Sequence, residues 1–273
     1  MNLADNPFDV AVVQFASLPG ASSQNVDRAL SLISNVIDSG RQLKLVCLPE
    51  GFDVGYDLDF IKNADLPTPP SSIARMKNFA NQHQLCIVYG SIERIRKKII
   101  NVAFVILPNG QVSRYEKTHL FSTAPLIESD VFALGDGARV VVPFNGINIG
   151  VQICYDVRFP EMTRSLCLDG ADIICMPAAW PAIRRDIWKT LVTARAMENQ
   201  VYVLAANQAP LKNGVEFAGT SLIVGPDGYV ISEGSQSDEQ VLLATVDITA
   251  QRKQREFIPL WKHRRPDVYR LDR

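Results

Sequence analysis

Short β-rich runs alternate with stretches of helical spacing along the whole chain. That interleaving restricts the fold to α/β architectures, in which helices cover the faces of sheets. Candidate strands fall at 10–15, 43–48, 86–92, 99–107, 111–115, 139–142, 147–153, 173–176, 201–206, 221–224, 229–231 and 241–246. The run at 43–48 is apolar without alternation, as expected of a strand buried on both faces. Helical spacing marks 26–37 (Val26, Leu30, Ile33, Ile37), 71–83 after the Pro69-Pro70 breaker, 160–168 and 186–199. Pro160 suits a first helical position, and Asp186 is the expected N-cap of the last helix. Pro108-Asn109-Gly110, Asn145-Gly146 and Pro226-Asp227-Gly228 supply turns between strands.

There is no internal repeat, no low-complexity run and no Ser/Gly linker. The reading is therefore one domain over 1–273. Residues 248–273 form a polar, basic tail expected to pack on a partner subunit.

Charge and cysteine usage exclude several classes. The 28 Lys and Arg against 29 Asp and Glu give a net charge of −1. A nucleic-acid partner is not expected, because phosphate neutralisation needs a basic excess. No stretch approaches the ~18 to 20 apolar residues of a spanning helix, so no membrane partner is expected. The N-terminus has Asp5 and Asp9 where a signal peptide carries Lys or Arg. Five cysteines make an odd count without a secretion signal, and no CxxC pair suggests zinc. The expectation is a cytoplasmic protein with reduced thiols and neither metal nor cofactor. Cys86, Cys167 and Cys175 read as core thiols, and Cys47 as the one of the four near the site.

Three chemically able residues stand where strands should end. Glu50 closes LKLVCLPE, Lys117 follows the second hairpin arm in SRYEKTHLF, and Cys154 closes INIGVQIC. Sites in buried α/β sheets gather at such ends. A thiol is mostly protonated at neutral pH. A carboxylate can take its proton and an ammonium can favour the thiolate. The thiolate can then attack a carbonyl or nitrile carbon, with Lys117 and the N–H after Cys154 facing the developing oxyanion. Each residue alone also has an ordinary explanation: a solvated loop acid, a surface lysine, a small buried hydrophobe.

The surrounding strings carry more. LPEGF, YEKTHLF and GVQICYDVRFPE, in that order, resemble the three signature segments of the nitrilase superfamily of carbon–nitrogen hydrolases. The resemblance runs from AVVQF to RRPDVY. It implies a four-layer α-β-β-α sandwich, cofactor-free chemistry through a thioester, and a homodimer whose surface includes the helices at 160–168 and 186–199. It also implies roles: Cys154 as nucleophile, Glu50 as general base, Lys117 as stabiliser of the tetrahedral intermediate. Glu128 in APLIESD matches the family's second glutamate and is read as orienting substrate; its alternative is an exposed loop acid. The stretch 122–135, with Pro125, reads as a loop over the site.

CYDVRFPE and MPAAWP are similar to the branch of ω-amidases and deaminated-glutathione amidases. The implied substrate is a small carboxylated amide, with an N-carbamoyl amino acid as the alternative and a nitrile or a non-catalytic binding role behind it. Arg158 can pair bidentately with a substrate carboxylate, or else with Glu161 or Asp156. Trp180 and Asn207 are expected at the pocket, Tyr155 through its backbone N–H. Trp188 and Phe217 are read as packing. His119 is assigned a structural hydrogen bond, and the loop 52–60 is expected to shape the pocket.

Overall fold

The computed structural model describes residues 2–68, 70–124, 126–211 and 216–269. Pro69, Pro125 and the last four residues of the tail thus lie outside the described residues. The first half contains β1 (Phe8–Gln14), α1 (Ser22–Asp38), β2 (Leu43–Cys47), α2 (Leu58–Asn63), α3 (Ser72–His83), β3 (Cys86–Ile95), β4 (Lys98–Ile106) and β5 (Val112–Glu116). A two-stranded ribbon follows, β6 (Ser122–Thr123) with β7 (Leu126–Ile127). The second half contains β8 (Val140–Phe144), β9 (Ile147–Val151), α4 (Pro160–Leu168), β10 (Ile173–Ala178), α5 (Arg185–Asn199) and β11 (Tyr202–Asn207). It closes with β12 (Leu222–Val224), β13 (Val230–Glu233), β14 (Gln240–Val246), α6 (Ile248–Phe257) and α7 (Leu260–His263).

The long strands form two six-stranded sheets, ordered β14-β1-β2-β3-β4-β5 and β13-β12-β11-β10-β9-β8. Each has a parallel centre, β1-β2-β3 and β9-β10-β11, and antiparallel flanks. Period-2 alternation assigns the faces. In β1, Val10 and Val12 join the core between the sheets, while Ala11 and Val13 pack against Val26, Ala29 and Ile33 of α1 and Met76 of α3. On the second sheet the core continues to Leu166 of α4 and to Trp188, Val192 and Ala196 of α5. Helices therefore cover both outer faces, and the expected α-β-β-α sandwich is the observed one. Central strands apolar on both faces are what this layering requires.

Local expectations mostly hold at the element level. Pro160 opens α4, and Asn145 and Gly146 both take positive φ (47° and 87°) in the hairpin turn between β8 and β9. Three expectations change. Asp186 is not the N-cap of α5 but lies in its first turn, because a turn of 3-10 helix at Ala182–Arg184 carries the chain into the helix one residue earlier. There its charge still favours the helix N-terminus. Residues 248–257 are helical: the Asp247 side chain accepts the Ala250 N–H at 2.9 Å and caps α6. That helix packs on its own chain, where Gln251 Nε2 donates to the carbonyls of Asp172 (2.9 Å) and Gln200 (3.0 Å). Finally, Cys47 is not among the residues that line the site's cavity. Leu45 and Cys47 face the second sheet, and Cys47 lies with Cys86 and Cys175 in the inter-sheet core. Among the described residues no helix is long and apolar enough to cross a membrane.

Candidate active site

The parallel strands of both sheets deliver their C-terminal ends to one place. Beyond β2 the chain leaves the sheet at Leu48-Pro49 and presents Glu50, which is fully buried. Lys117 stands one residue beyond β5 and Cys154 three beyond β9; both are buried as well. Close backbone approach fixes Glu50: the Gly90 N–H donates to the Pro49 carbonyl at 3.0 Å, and a Cβ on Gly90 would lie 2.4 Å from Glu50 Cα.

The Glu50 carboxylate is held from three sides. Oε1 accepts from Lys117 Nζ at 2.7 Å and from Asn101 Nδ2 at 2.7 Å. Oε2 accepts the Ala179 N–H at 2.8 Å, which ties the first sheet to the end of β10 in the second. Lys117 Nζ also donates to Glu128 Oε1 at 2.8 Å. Glu128 is buried, not an exposed loop acid. Its Oε1 further accepts from the Tyr56 hydroxyl, and its Oε2 accepts the Phe121 N–H at 2.8 Å. One ammonium thus lies between two buried carboxylates.

The charges set the resting state. Burial alone would push Lys117 down, but the carboxylates of Glu128 and Glu50 outweigh it and hold the ammonium well above the ordinary lysine range. Burial pushes the Cys154 thiol well above its usual value and the Glu50 charge adds to this, while Lys117 and the Ala179 backbone pull the other way. The resting thiol is therefore protonated. Burial also raises Glu128, against the opposing pull of Lys117.

Cys154 opens a 3-10 turn, Cys154–Arg158, and its φ is +45°. Two residues on, Asp156 is fully buried and pins this turn. Its Oδ2 accepts the Ile153 N–H at 2.8 Å and the Tyr115 hydroxyl at 2.7 Å. Its Oδ1 accepts the His119 N–H at 3.1 Å and ring Nδ1 at 2.8 Å. His119 also stacks on Phe159, with ring centroids 3.7 Å apart. Its role in the structure is thus a hydrogen-bonding one.

A cavity of about 290 Å³, counting its mouth, opens beside the thiol. It is lined by Phe121, Leu126, Glu128, Cys154, Tyr155, Ala179, Trp180, Pro181 and Arg184. Tyr155 and Trp180 are at the cavity, as the sequence suggested. Asn207 is not: its Oδ1 accepts the Trp180 N–H at 2.7 Å and its Nδ2 donates to the Gly219 carbonyl at 2.8 Å, so it holds the wall from behind. Arg158 pairs with neither Asp156 nor Glu161; its guanidinium lies over the rings of Trp180 (5.3 Å) and Tyr155 (6.0 Å). Trp188 is buried packing whose Nε1 donates to the Thr220 carbonyl at 2.9 Å, and Phe217 is buried packing too. Among the described residues no group of three His, Cys, Asp or Glu side chains is placed to hold a metal ion.

Sequence reasoning missed Asn101, Tyr56 and Arg184. Asn101 had a signal, a lone amide in the strand run IINVAFVIL. Tyr56 had none beyond its place in the loop 52–60, which does shape the site through its bond to Glu128. Arg184 was hidden by its neighbour Arg185.

The sequence pattern described as carbon-nitrogen hydrolase matches residues 9–256, which take in both sheets and the whole site. The 2-oxoglutaramate amidase of Bacillus subtilis (strain 168) is 32% identical over 262 residues, covering 95% of this chain and 98% of that protein. Omega-amidase NIT3 of Saccharomyces cerevisiae is 30% identical over 275 residues, covering 95% and 94%. The crystal structure of Saccharomyces cerevisiae Nit3, a member of branch 10 of the nitrilase superfamily, superposes with a TM-score of 0.86 at 27% identity, over 98% of this chain and 99% of that one. With the sandwich, the strand-end site and these matches in agreement, the chain belongs to the carbon-nitrogen hydrolase family.

Proposed function

We propose that the chain is an amidase of the ω-amidase type, hydrolysing a small amide that carries a carboxylate and releasing ammonia. The observation that carries this reading is the buried set of Glu50, Lys117 and Cys154 at the end of a small cavity. The similarity to the 2-oxoglutaramate amidase supports the substrate class.

The mechanism follows from the charges. Since the resting thiol is protonated, attack on the amide carbon is coupled to passage of the thiol proton to Glu50. Sγ bonds to carbon and the carbonyl electrons move to oxygen. The oxyanion is met by the Lys117 ammonium and by the Tyr155 N–H, in the first turn of the 3-10 helix where N–H groups lack an intrahelical acceptor. Glu50 then passes its proton to the departing nitrogen, ammonia leaves, and a thioester remains on Cys154. Water, deprotonated by Glu50, attacks the thioester carbon; the C–S bond breaks, the acid is freed, and Glu50 returns its proton to the Cys154 sulfur. Glu128, bonded to Lys117, keeps the ammonium oriented and faces the substrate amide from the cavity wall. Arg158, whose guanidinium lies over the cavity-lining Trp180 ring, takes the substrate carboxylate. Asn207 serves by fixing the Trp180 backbone.

The five free cysteines suit a reducing, cytoplasmic compartment. The assembly is a homodimer built on α4 and α5, with residues 258–269 of the tail on the partner. Its support is the apolar surface left exposed there: Leu168, Met197 and Phe257. Sedimentation giving only a 30.2 kDa species at micromolar concentration would reject the dimer.

The test is ammonia release from 2-oxoglutaramate, 2-oxosuccinamate, an N-carbamoyl amino acid, an aliphatic amide and a nitrile, with Cys154→Ala alongside. Turnover of the 2-oxo amides that falls at least 10⁴-fold in the variant is expected, this being about the loss on removing a covalent nucleophile. Activity confined to the carbamoyl compound or the nitrile would discard the ω-amide substrate.

A further inference from the structure

The cavity mouth holds a cation that the reaction does not use. Arg184 lines the cavity, and its guanidinium lies 5.0 Å from the centre of the Phe121 ring. Its backbone is pinned: its N–H donates to the Pro181 carbonyl at 3.1 Å, and its own carbonyl accepts from Trp180 Nε1 at 2.8 Å. The adjacent Arg185 is employed elsewhere, its Nε donating to the Ala218 carbonyl at 3.1 Å. Among the described residues Arg184 has no carboxylate within ion-pair distance. The nearest acid on the cavity wall, Glu128, is already committed to Lys117.

Arg158 is not part of the cavity lining but is in the same condition beside it, over the Trp180 and Tyr155 rings that do line it, and Asp156, its neighbour in sequence, is taken by His119. Two guanidiniums thus lie over aromatic rings that line one cavity, with no ion-pair partner among the described residues. A half-buried arginine held against a ring has already lost much of its rotamer freedom, so an incoming anion meets a prepared fork. One substrate carboxylate satisfies Arg158 and leaves Arg184 unanswered.

We propose that Arg184 is a second anion-binding residue of this site, and that the preferred substrate is an amide bearing two acidic groups beyond the scissile carbon. This rests on the amidase reading above and sharpens its substrate class. The acid nearer the amide carbon and the acid at the far end go to the two guanidiniums, and the five-carbon chain of a glutaric monoamide has room for both.

The experiment compares glutaramate, with one carboxylate, to the terminal monoamide of propane-1,2,3-tricarboxylic acid, which has the same chain and one more carboxylate. The wild-type enzyme is expected to favour the dianionic amide in kcat/KM. Arg184→Gln is expected to lower that preference about 10- to 100-fold, the loss of a charge-assisted hydrogen bond, through KM more than kcat. Arg184→Lys, which keeps the charge, should restore part of it, and added salt should weaken the preference in the wild type. A wild-type enzyme that hydrolyses glutaramate but favours it over the dianion overturns this inference and leaves the amidase reading intact. So does an Arg184→Gln enzyme with an unchanged preference. Absence of turnover on either amide and on the 2-oxo amides fells both.

Discussion

Asp156 Oδ1 accepts two hydrogen bonds from His119, one from its backbone and one from its ring. With the Tyr115 hydroxyl on Oδ2, this carboxylate grips the residues two before and two after Lys117. The turn that carries the thiol is thereby locked to the strand end that carries the ammonium. Asp156→Asn puts an N–H₂ against donors on one side. The expected result is a loss of about 2–4 kcal/mol in denaturant unfolding and at least a 100-fold fall in kcat, with KM moving only a few-fold.

Lys117 neutralises two buried carboxylates at once. Lys117→Met leaves Glu50 and Glu128 facing each other without a cation. A loss of about 3–5 kcal/mol is expected, with no turnover. Adding Glu128→Gln should return part of the stability and none of the activity. Calorimetry of the two single variants and the double variant closes the cycle, and additive effects would contradict the shared ammonium.

Asp53 makes a prediction in pH. It is buried just after Glu50, and burial pushes its carboxyl up to about 6 against the hydrogen bonds from Ser72 (2.6 Å) and Ser91 (2.9 Å). Among the described residues its Oδ1 has no hydrogen-bond partner. A carboxyl raised in the folded state binds more protons there than in the unfolded chain. Its contribution to stability is therefore present below pH 4 and lost as pH rises through 6. Asp53→Asn should stabilise the protein at pH 7 by up to about 3 kcal/mol, and the gain should vanish at pH 4. Unfolding midpoints at the two pH values decide it.

Gly90 leaves no room for a side chain. A Cβ there would overlap the Glu50 backbone, which cannot move without breaking its bonds to Lys117, Asn101 and Ala179. Gly90→Ala should cost about 1–3 kcal/mol and lower kcat at least tenfold. Unchanged kinetics in a folded variant would show that the Glu50 loop tolerates displacement.

The layered fold was legible because its signals are periodic and local. β1 alternates between the two faces, Asn145-Gly146 turns between β8 and β9, and Pro160 opens α4. Glu50, Lys117 and Cys154 stood out as candidates because each follows a strand or hairpin arm within a string that resembles one of the family's three signature segments. What escaped depends on which strand ends meet in space. Asn101 sits in the middle of β4 and reaches Glu50 only because β4 pairs with β3 beside it. Asp156 looks from its sequence neighbours like a partner for Arg158, whereas its side-chain partners, His119 and Tyr115, lie 37 and 41 positions away. Arg184 and Arg185 are indistinguishable as letters, and only the backbone turn before α5 sends one to the cavity and the other to Ala218. Cys47 shows the same limit: three residues from Glu50, it faces the opposite sheet because the strand ends between them.

The left-handed backbone at Cys154 carries a cost as well as a geometry. A residue with a side chain in that region costs about 1–2 kcal/mol that glycine does not incur. Cys154→Gly is thus expected to fold at least as firmly as the parent while releasing no ammonia.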